Sequence, residues 1–148
     1  MFTGYRFYYR GLRSIGTAQV SIEVGGGESM RVLLVEDEDL LRGVVAEELR
    51  EAGLEVVEAT NGAEAQRAIH DARFDVLVAD IRLPGHLNGW QVAEYCREIR
   101  PSLPVIYVSG LTTDGRQDVP GSIHLRKPFR LRDLLDVVAR VTMSGPPS

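Results

Sequence analysis

Five polar residues that could do chemistry stand at or just beyond the ends of short apolar runs. Glu36 and Asp37 follow the run RVLLV, Asp80 follows DVLVA, Ser109 follows VIYV, and Lys127 lies two residues beyond a fourth run. Several carboxylates in one crevice repel each other and stay ionised only when a cation compensates them. Hard oxygen ligands with room for water suit Mg²⁺. We therefore predict a magnesium site in which Asp37 and Asp80 bind the ion directly and Glu36 acts through water or at longer range.

The same residues have the chemistry that phosphoryl transfer requires. A carboxylate can attack phosphorus and form an aspartyl phosphate, while cations absorb the charge on the phosphoryl oxygens. Asp80 is the predicted nucleophile, Lys127 would pair with one phosphoryl oxygen, and the Ser109 hydroxyl would donate to another. Lys127 is also the only lysine among 17 basic residues, which indicates a position that favours a compact ammonium charge. On this last observation alone, chance remains an alternative.

The hydrophobic pattern from Met30 onward alternates short apolar strands with amphipathic helices. Strands joined by helices form a parallel sheet that is covered on both faces. The predicted α/β fold is thus a doubly wound five-stranded parallel sheet, whose functional crevice lies at the carboxyl ends of the strands. The predicted strands are residues 31–35, 54–59, 75–79, 105–108 and 122–125. The predicted helices are residues 39–52, 90–100 and 131–141, and one that runs from a cap at Asn61 to residue 72.

One segment between the last two strands departs from this alternation. Residues 111–121 are polar and contain Gly115 and Pro120, both of which disfavour a helix. We therefore predict that the fourth helix of the fold is shortened.

The two ends of the chain differ in composition from its centre. Residues 1–29 join an aromatic and arginine cluster to three consecutive glycines, which predicts a flexible or weakly ordered N-terminal extension. Within it, residues 19–24 alternate weakly and could pair as an edge strand. The main domain is predicted over residues 30–142, and residues 143–148 form a linker-like C-terminal tail.

The composition argues against several classes of protein. The net charge is -4 and the basic residues are scattered, which argues against nucleic acid as a partner. No apolar run approaches the roughly 20 residues that a membrane-spanning helix needs. Cys96 is the only cysteine, so no intrachain disulfide can form, and its helical pattern predicts a small core residue. We expect a cytoplasmic protein that binds neither membranes nor nucleic acid.

Four sequence blocks resemble those of the response-regulator receiver family of two-component signalling. They are VLLVEDE (32–38), VLVADIRLPG (76–85), VIYVSG (105–110) and LRKPF (125–129). The resemblance covers about residues 31–142. It implies a flavodoxin-like sheet with strand order 2-1-3-4-5, and phosphorylation of Asp80 with Mg²⁺ by a histidine kinase or a histidine phosphotransfer protein. It also implies a protein that is no enzyme beyond its own phosphorylation and dephosphorylation.

The resemblance assigns roles to individual residues of the acidic site. Asp80 matches the phosphoacceptor of the family, and Glu36 and Asp37 match its acidic pair. The backbone carbonyl of Arg82 matches a metal ligand. Lys127, which Pro128 follows, matches the lysine of the family whose peptide bond to proline is typically cis.

The resemblance also implies a switch that signals phosphorylation to other proteins. Ser109 matches the hydroxyl residue of this switch, and His124 takes the place usually held by tyrosine or phenylalanine. A histidine could act as the switch with added pH sensitivity, or it could be a partly exposed strand residue without such a role. The downstream partner is an unknown protein, and a homodimer is a further expectation that the short segment 111–121 puts in doubt. The chain could be a stand-alone receiver or a part of a hybrid kinase or a larger regulator.

The same residues are compatible with two other functions, a hydrolase and a scaffold. A hydrolase that resembles the haloacid dehalogenase family would use an aspartyl intermediate, but it would carry a second aspartate where Arg82 stands here. A receiver-like scaffold would bind partners without being phosphorylated. The presence of Asp37, Asp80, Ser109 and Lys127 argues against a scaffold, because a cluster of acidic groups is costly to hold together.

Overall fold

A computed structural model of the chain describes residues 5–11, 18–24, 29–110 and 112–143. The strands are β1 (Tyr5–Gly11), β2 (Ala18–Val24), β3 (Arg31–Val35), β4 (Glu55–Ala59), β5 (Val76–Asp80), β6 (Val105–Ser109) and β7 (Ile123–Arg126). The helices are α1 (Asp39–Glu51), α2 (Gly62–Asp71), α3 (Gly89–Ile99) and α4 (Leu131–Met143). From Arg31 onward, these bounds lie within two residues of the predicted ones.

Five strands form one parallel sheet in the order β4-β3-β5-β6-β7. When only these strands are counted along the chain, this is the predicted order 2-1-3-4-5, and the flavodoxin-like fold is confirmed. The chain begins in the sheet at β3, adds β4 on one side, and returns to add β5 on the other side. The strand order therefore reverses between β3 and β5, which is where sheets of this type form their functional crevice.

Helices pack against both faces of the sheet. Alternate residues of β3 point to opposite faces: Val32 and Leu34 lie in the core with α1 and α4, whereas Leu33 and Val35 lie in the core with α2 and α3. Both faces are buried, which explains why the central strands are continuously apolar. Cys96 lies fully buried in the second core, and burial raises the pKa of its thiol to about 12. The prediction of a small core residue is thus confirmed.

The segment between β6 and β7 is irregular. Its described residues, 112–122, form turns and bends without a helix, so the shortening predicted here is extensive. Side chains of α3 and β6 hold this segment in place. The Trp90 indole N–H donates to Asp118 at 2.8 Å, the Arg97 guanidinium donates to the Pro120 carbonyl at 2.9 Å, and the buried Tyr107 hydroxyl accepts from the Val119 N–H at 3.1 Å.

Near the N-terminus, β1 and β2 pair with each other as an antiparallel hairpin, separate from the five-stranded sheet. The strand proposed for residues 19–24 is therefore present, but its partner is β1. The division of the chain into an extension, a main domain and a tail remains a prediction, and residues 144–148 of the predicted tail lie outside the described residues. None of the helices in the described part of the chain is both long enough and apolar enough to cross a membrane.

Gly89, the first residue of α3, lies against the end of β5. Its N–H donates to the Ile81 carbonyl at 2.8 Å, and a Cβ atom at this position would lie 2.3 Å from the Asp80 carbonyl oxygen and 2.7 Å from the Ile81 Cα. The helix begins there because the Asn88 side chain and Gln91 form a capping box. Only a glycine lets α3 start this close to the strand end that carries Asp80.

We expect Gly89→Ala to destabilise the protein by roughly 2–3 kcal/mol, because the added methyl group meets main-chain atoms that cannot move away easily. The matched control is Gly43→Ala in the middle of α1, where a Cβ atom would meet nothing within 4 Å. Alanine favours a helix over glycine, so the control should stabilise the protein by about 0.5–1 kcal/mol. Urea denaturation would measure both values, and equal effects of the two substitutions would contradict the close contact at Gly89.

Candidate functional site

Three carboxylates meet at the carboxyl ends of β3 and β5. Asp80 is the last residue of β5, and Glu36 and Asp37 directly follow β3, which is the neighbouring strand in the sheet. Each of the three side chains offers an oxygen, and these oxygens all lie within 4.8 Å of one another. Glu36 and Asp80 are buried, with 4% and 8% of their surface exposed, whereas Asp37 is exposed. The predicted acidic pocket is therefore present.

Lys127 reaches this pocket from the end of β7. Its ammonium group lies 2.7 Å from Oδ2 of Asp80 and 2.7 Å from Oε1 of Glu36. The main chain at Lys127 is held by its N–H, which donates to the Ser109 carbonyl at 2.9 Å. The Lys127–Pro128 peptide bond is cis, as expected. The lysine thus pairs with both buried carboxylates at once.

Both carboxylate oxygens of Asp80 are engaged. Oδ2 accepts from Lys127, and Oδ1 accepts from the backbone N–H of Arg82 at 2.9 Å. These two donors orient the carboxylate within the pocket. The Arg82 carbonyl stays a predicted metal ligand, since the described contact of this residue with the pocket is made by its N–H.

Burial and charge shift the pKa values in the pocket. Burial, followed by a hydrogen bond with Asp80, raises the pKa of Glu36 to about 7, and Lys127 only partly offsets these effects. Burial opposes the charge of Lys127, but its hydrogen bonds with Asp80 and Glu36 outweigh burial, so the pKa of Lys127 is raised. Oε2 of Glu36 is buried and has no hydrogen-bond partner among the described residues. Ionisation of the buried Glu36 carboxylate therefore costs free energy.

These residues fit a divalent cation. Three carboxylates face a single ammonium group, so the pocket has more negative than positive charge when all four groups are ionised. Within the described ranges, the buried Oε2 of Glu36 has no hydrogen-bond donor, and the exposed Asp37 keeps one side of the cluster open to water. Oxygen ligands that combine a few carboxylates with water are those that Mg²⁺ prefers.

Ser109 and His124, the two predicted switch residues, lie on the neighbouring strands β6 and β7. Ser109 is the buried last residue of β6, between the strands that carry Asp80 and Lys127. His124 is an exposed residue of β7, with its ring centroid 5.1 Å from that of Tyr107 and its Nε2 atom 2.5 Å from Oδ2 of Asp118. The switch roles of Ser109 and His124 therefore stay predictions.

Two residues near these positions, Asp118 and Arg42, were not predicted from the sequence. Asp118 links His124 to Trp90, and no sequence pattern marks it, because it belongs to an irregular segment. Arg42 donates to the Glu36 carbonyl at 2.9 Å and to Asp39 at 2.7 Å. Its spacing of three residues from Asp39 on a predicted helix is a signal for the second of these contacts.

Without metal, the free energy of unfolding of the wild type should fall as the pH rises from about 4.5 to about 7, whereas that of Glu36→Gln should lack this part of the pH dependence. The unfolded chain loses the Glu36 proton at its ordinary pKa of 4.5, whereas the folded protein keeps this proton to about pH 7. Folding therefore becomes less favourable across this window, by on the order of 2 kcal/mol in total. Urea denaturation at pH 5 and pH 8 in the presence of EDTA would measure the difference. Glu38→Gln at an exposed position is the control, and a difference between wild type and Glu36→Gln that does not vary with pH would contradict the assignment.

Comparisons with known proteins identify a family for this chain. The family of response regulator receiver domains matches residues 32–139. The chain is 30% identical to the response regulator receiver protein CpdR of Brucella abortus over 78% of this chain and 98% of that protein. It spans about half the length of several transcriptional regulatory proteins that it also matches.

Solved structures of receiver domains are also similar to this chain. A response regulator receiver protein from Sinorhizobium medicae has a TM-score of 0.74 at 36% identity, over 78% of this chain and 95% of that chain. The receiver domain of a sensor histidine kinase from Pseudomonas aeruginosa, which has a magnesium ion coordinated in its active-site cleft, has a TM-score of 0.66 at 27% identity, over 78% and 98% of the two chains. With the strand order, the acidic pocket and the matched residues in agreement, the chain belongs to the response regulator receiver family of two-component signalling.

Proposed function

We propose that this receiver domain accepts a phosphoryl group on Asp80 from a histidine kinase or a histidine phosphotransfer protein, with Mg²⁺ as cofactor. The observation that carries the proposal is the 2.7 Å contact of the Lys127 ammonium with the Asp80 carboxylate, in a pocket shared with Glu36 and Asp37. Receiver domains are phosphorylated by histidine kinases in two-component systems, and these residues supply the groups that the transfer needs.

In the proposed reaction, an Asp80 carboxylate oxygen attacks the phosphorus atom of a phosphohistidine. A bond from this oxygen to phosphorus forms, the bond from phosphorus to the donor's imidazole nitrogen breaks, and the electron pair of that bond stays on the imidazole. The Lys127 ammonium would then pair with one phosphoryl oxygen, and the Ser109 hydroxyl would donate to another. The Arg82 N–H holds the carboxylate in a defined orientation before the attack.

Asp37 and Asp80 are the proposed direct ligands of Mg²⁺, together with the Arg82 carbonyl. Glu36 would act at longer range, which agrees with its pairing to Lys127. When bound, Mg²⁺ compensates the carboxylates and absorbs charge on the phosphoryl oxygens. The pairing of both Glu36 and Asp80 with Lys127 keeps these two carboxylates together before an ion binds.

For output, we propose that Ser109 and His124 change position after phosphorylation. His124 packs beside Tyr107, and the Tyr107 hydroxyl accepts from the N–H of Val119. A movement of His124 would therefore disturb its contact with Asp118, and with it the irregular segment to which Asp118 belongs. The downstream partner is a protein whose identity is unknown, and a homodimer remains part of the proposal.

The proposed phosphodonor protein binds next to the pocket, on α1. In the described part of the chain, the large apolar side chains that are most exposed are Leu40 and Val44, at 83% and 60%. They are four residues apart and therefore lie on one face of α1, whose first turn follows Glu36 and Asp37. Because kinases of this type draw their phosphoryl group from ATP, we place the exchange in the cytoplasm.

We expect Asp80→Asn to abolish incorporation of a phosphoryl group from acetyl phosphate in the presence of MgCl₂, because the asparagine amide does not attack phosphorus as a carboxylate does. Intact-protein mass spectrometry would detect one added phosphoryl group on the wild type and none on the variant. Asp71→Asn, an exposed position at the end of α2, is the control. Labelling that persists in Asp80→Asn would refute the assignment, and a wild type that takes up no label would support a scaffold that works without phosphorylation.

If the kinase binds α1, substitutions on this helix should affect phosphoryl transfer from a kinase but not from acetyl phosphate. The test uses an autophosphorylated kinase that labels the wild type. Leu40→Ser and Val44→Ser together should lower the rate of transfer from this kinase roughly tenfold or more, because apolar contact area is lost. Uptake from acetyl phosphate should stay unchanged, since this small donor does not bind α1. Glu51→Ala at the far end of α1 is the control. An equal loss with both donors would mean that the substitutions damage the pocket itself.

A further inference from the structure

Arg42 lies in the first turns of α1 and folds back toward the acidic pocket. Its guanidinium group donates to the Glu36 carbonyl at 2.9 Å and to Oδ1 of Asp39 at 2.7 Å, and its Nε atom lies 3.4 Å from Oε1 of Glu58. Only 14% of the Arg42 side chain is exposed. One side chain thus connects the end of β3, the start of α1 and the neighbouring strand β4.

The contact with Glu36 involves the main chain that leads into the site. The Glu36 N–H donates to the Ala59 carbonyl at 3.0 Å, and the Glu36 carbonyl accepts from Arg42, so this residue is held on both sides. The helix cap offers no such support, because Glu38 at the N-cap makes no side-chain hydrogen bond to the helix. Since the peptide group is planar, holding the Glu36 carbonyl also orients the nitrogen of Asp37.

We propose that Arg42 is a positioning residue for the divalent cation, and that it acts by orienting the Glu36–Asp37 peptide so that the Asp37 carboxylate faces Asp80. This inference rests on the proposed function, since it concerns the same cation site. Asp37 is exposed, and its direction depends on the main chain that carries it. The other hydrogen bond and the ion pair of Arg42 go to carboxylates outside the cluster, Asp39 and Glu58.

A positioning role of Arg42 and its charge alone predict opposite changes of the Mg²⁺ affinity when Arg42 is replaced by a neutral residue. A positive charge near a cation site repels the cation, so electrostatics alone predicts tighter Mg²⁺ binding when Arg42 is made neutral. Positioning predicts weaker binding in every variant that loses the planar fork, including Arg42→Lys, which keeps the charge. Lysine cannot reproduce the fork geometry of a guanidinium group that contacts several acceptors at once.

Mg²⁺ titration of the full chain by isothermal titration calorimetry tests the proposal. We expect the Kd for Mg²⁺ to rise about tenfold in Arg42→Lys and Arg42→Gln, the size found when groups that orient metal ligands are removed. The maximal labelling rate with acetyl phosphate at saturating Mg²⁺ should stay within about twofold of the wild type, because Arg42 does not contact the phosphoryl group. The amide resonances of Asp37 in the metal-free protein should also shift in Arg42→Lys.

Arg50→Lys is the matched control. Arg50 also pairs with Glu58 and donates to a backbone carbonyl, that of Val56, but it makes these contacts away from the Glu36–Asp37 peptide. Arg50→Lys should therefore keep the wild-type Kd for Mg²⁺. This should hold even if Arg50→Lys and Arg42→Lys lower the midpoint of unfolding equally. An Arg42→Lys variant that binds Mg²⁺ like the wild type, or an Arg42→Gln variant that binds it more tightly, would overturn the role of Arg42. A wild type that binds no Mg²⁺, or that binds it equally well in Asp37→Asn, would overturn the proposed cation site itself.

Discussion

The repulsion between carboxylates at the carboxyl end of the sheet is the constraint on which the site depends. Glu36 and Asp80 are both buried, and each loses hydration that would stabilise its charge. Lys127 compensates them by hydrogen bonds to both, and this pairing holds the end of β7 beside the ends of β3 and β5. The residual cost is visible in the raised pKa of Glu36 and in its Oε2 atom, which has no hydrogen-bond partner in the part of the chain that the structure describes. Binding of a cation or a phosphoryl group therefore changes an electrostatic balance that already exists in the folded chain.

The rest of the fold makes this arrangement rigid. The central strands are buried on both faces, so their ends cannot move apart without exposing the two cores. Gly89 lets α3 begin in contact with the end of β5, and Arg42 ties the start of α1 to the end of β3. Helices on opposite faces of the sheet thus define the positions of Asp80 and of the acidic pair.

Much of this could be predicted from the sequence, because each strand is a short and continuously apolar run. Once the runs are placed in a parallel sheet, Glu36, Asp80 and Lys127 must lie at the same edge. The contact of Arg42 with the Glu36 carbonyl could not be predicted, because a single arginine on a helix has several acceptors within reach. The link from Trp90 through Asp118 to His124 was also hidden, since residues 112–122 lack the periodicity on which such predictions depend.

A crystal structure of the chain grown with MgCl₂ and beryllofluoride, a mimic of the phosphoryl group, would show whether Asp80 is the phosphoacceptor. We expect beryllofluoride on the Asp80 carboxylate, the Lys127 ammonium within hydrogen-bond distance of a fluorine atom, and the metal ion bound by Asp37 and Asp80. An Asp80 carboxylate that stays unmodified at saturating beryllofluoride, or a metal ion bound away from these carboxylates, would contradict this expectation.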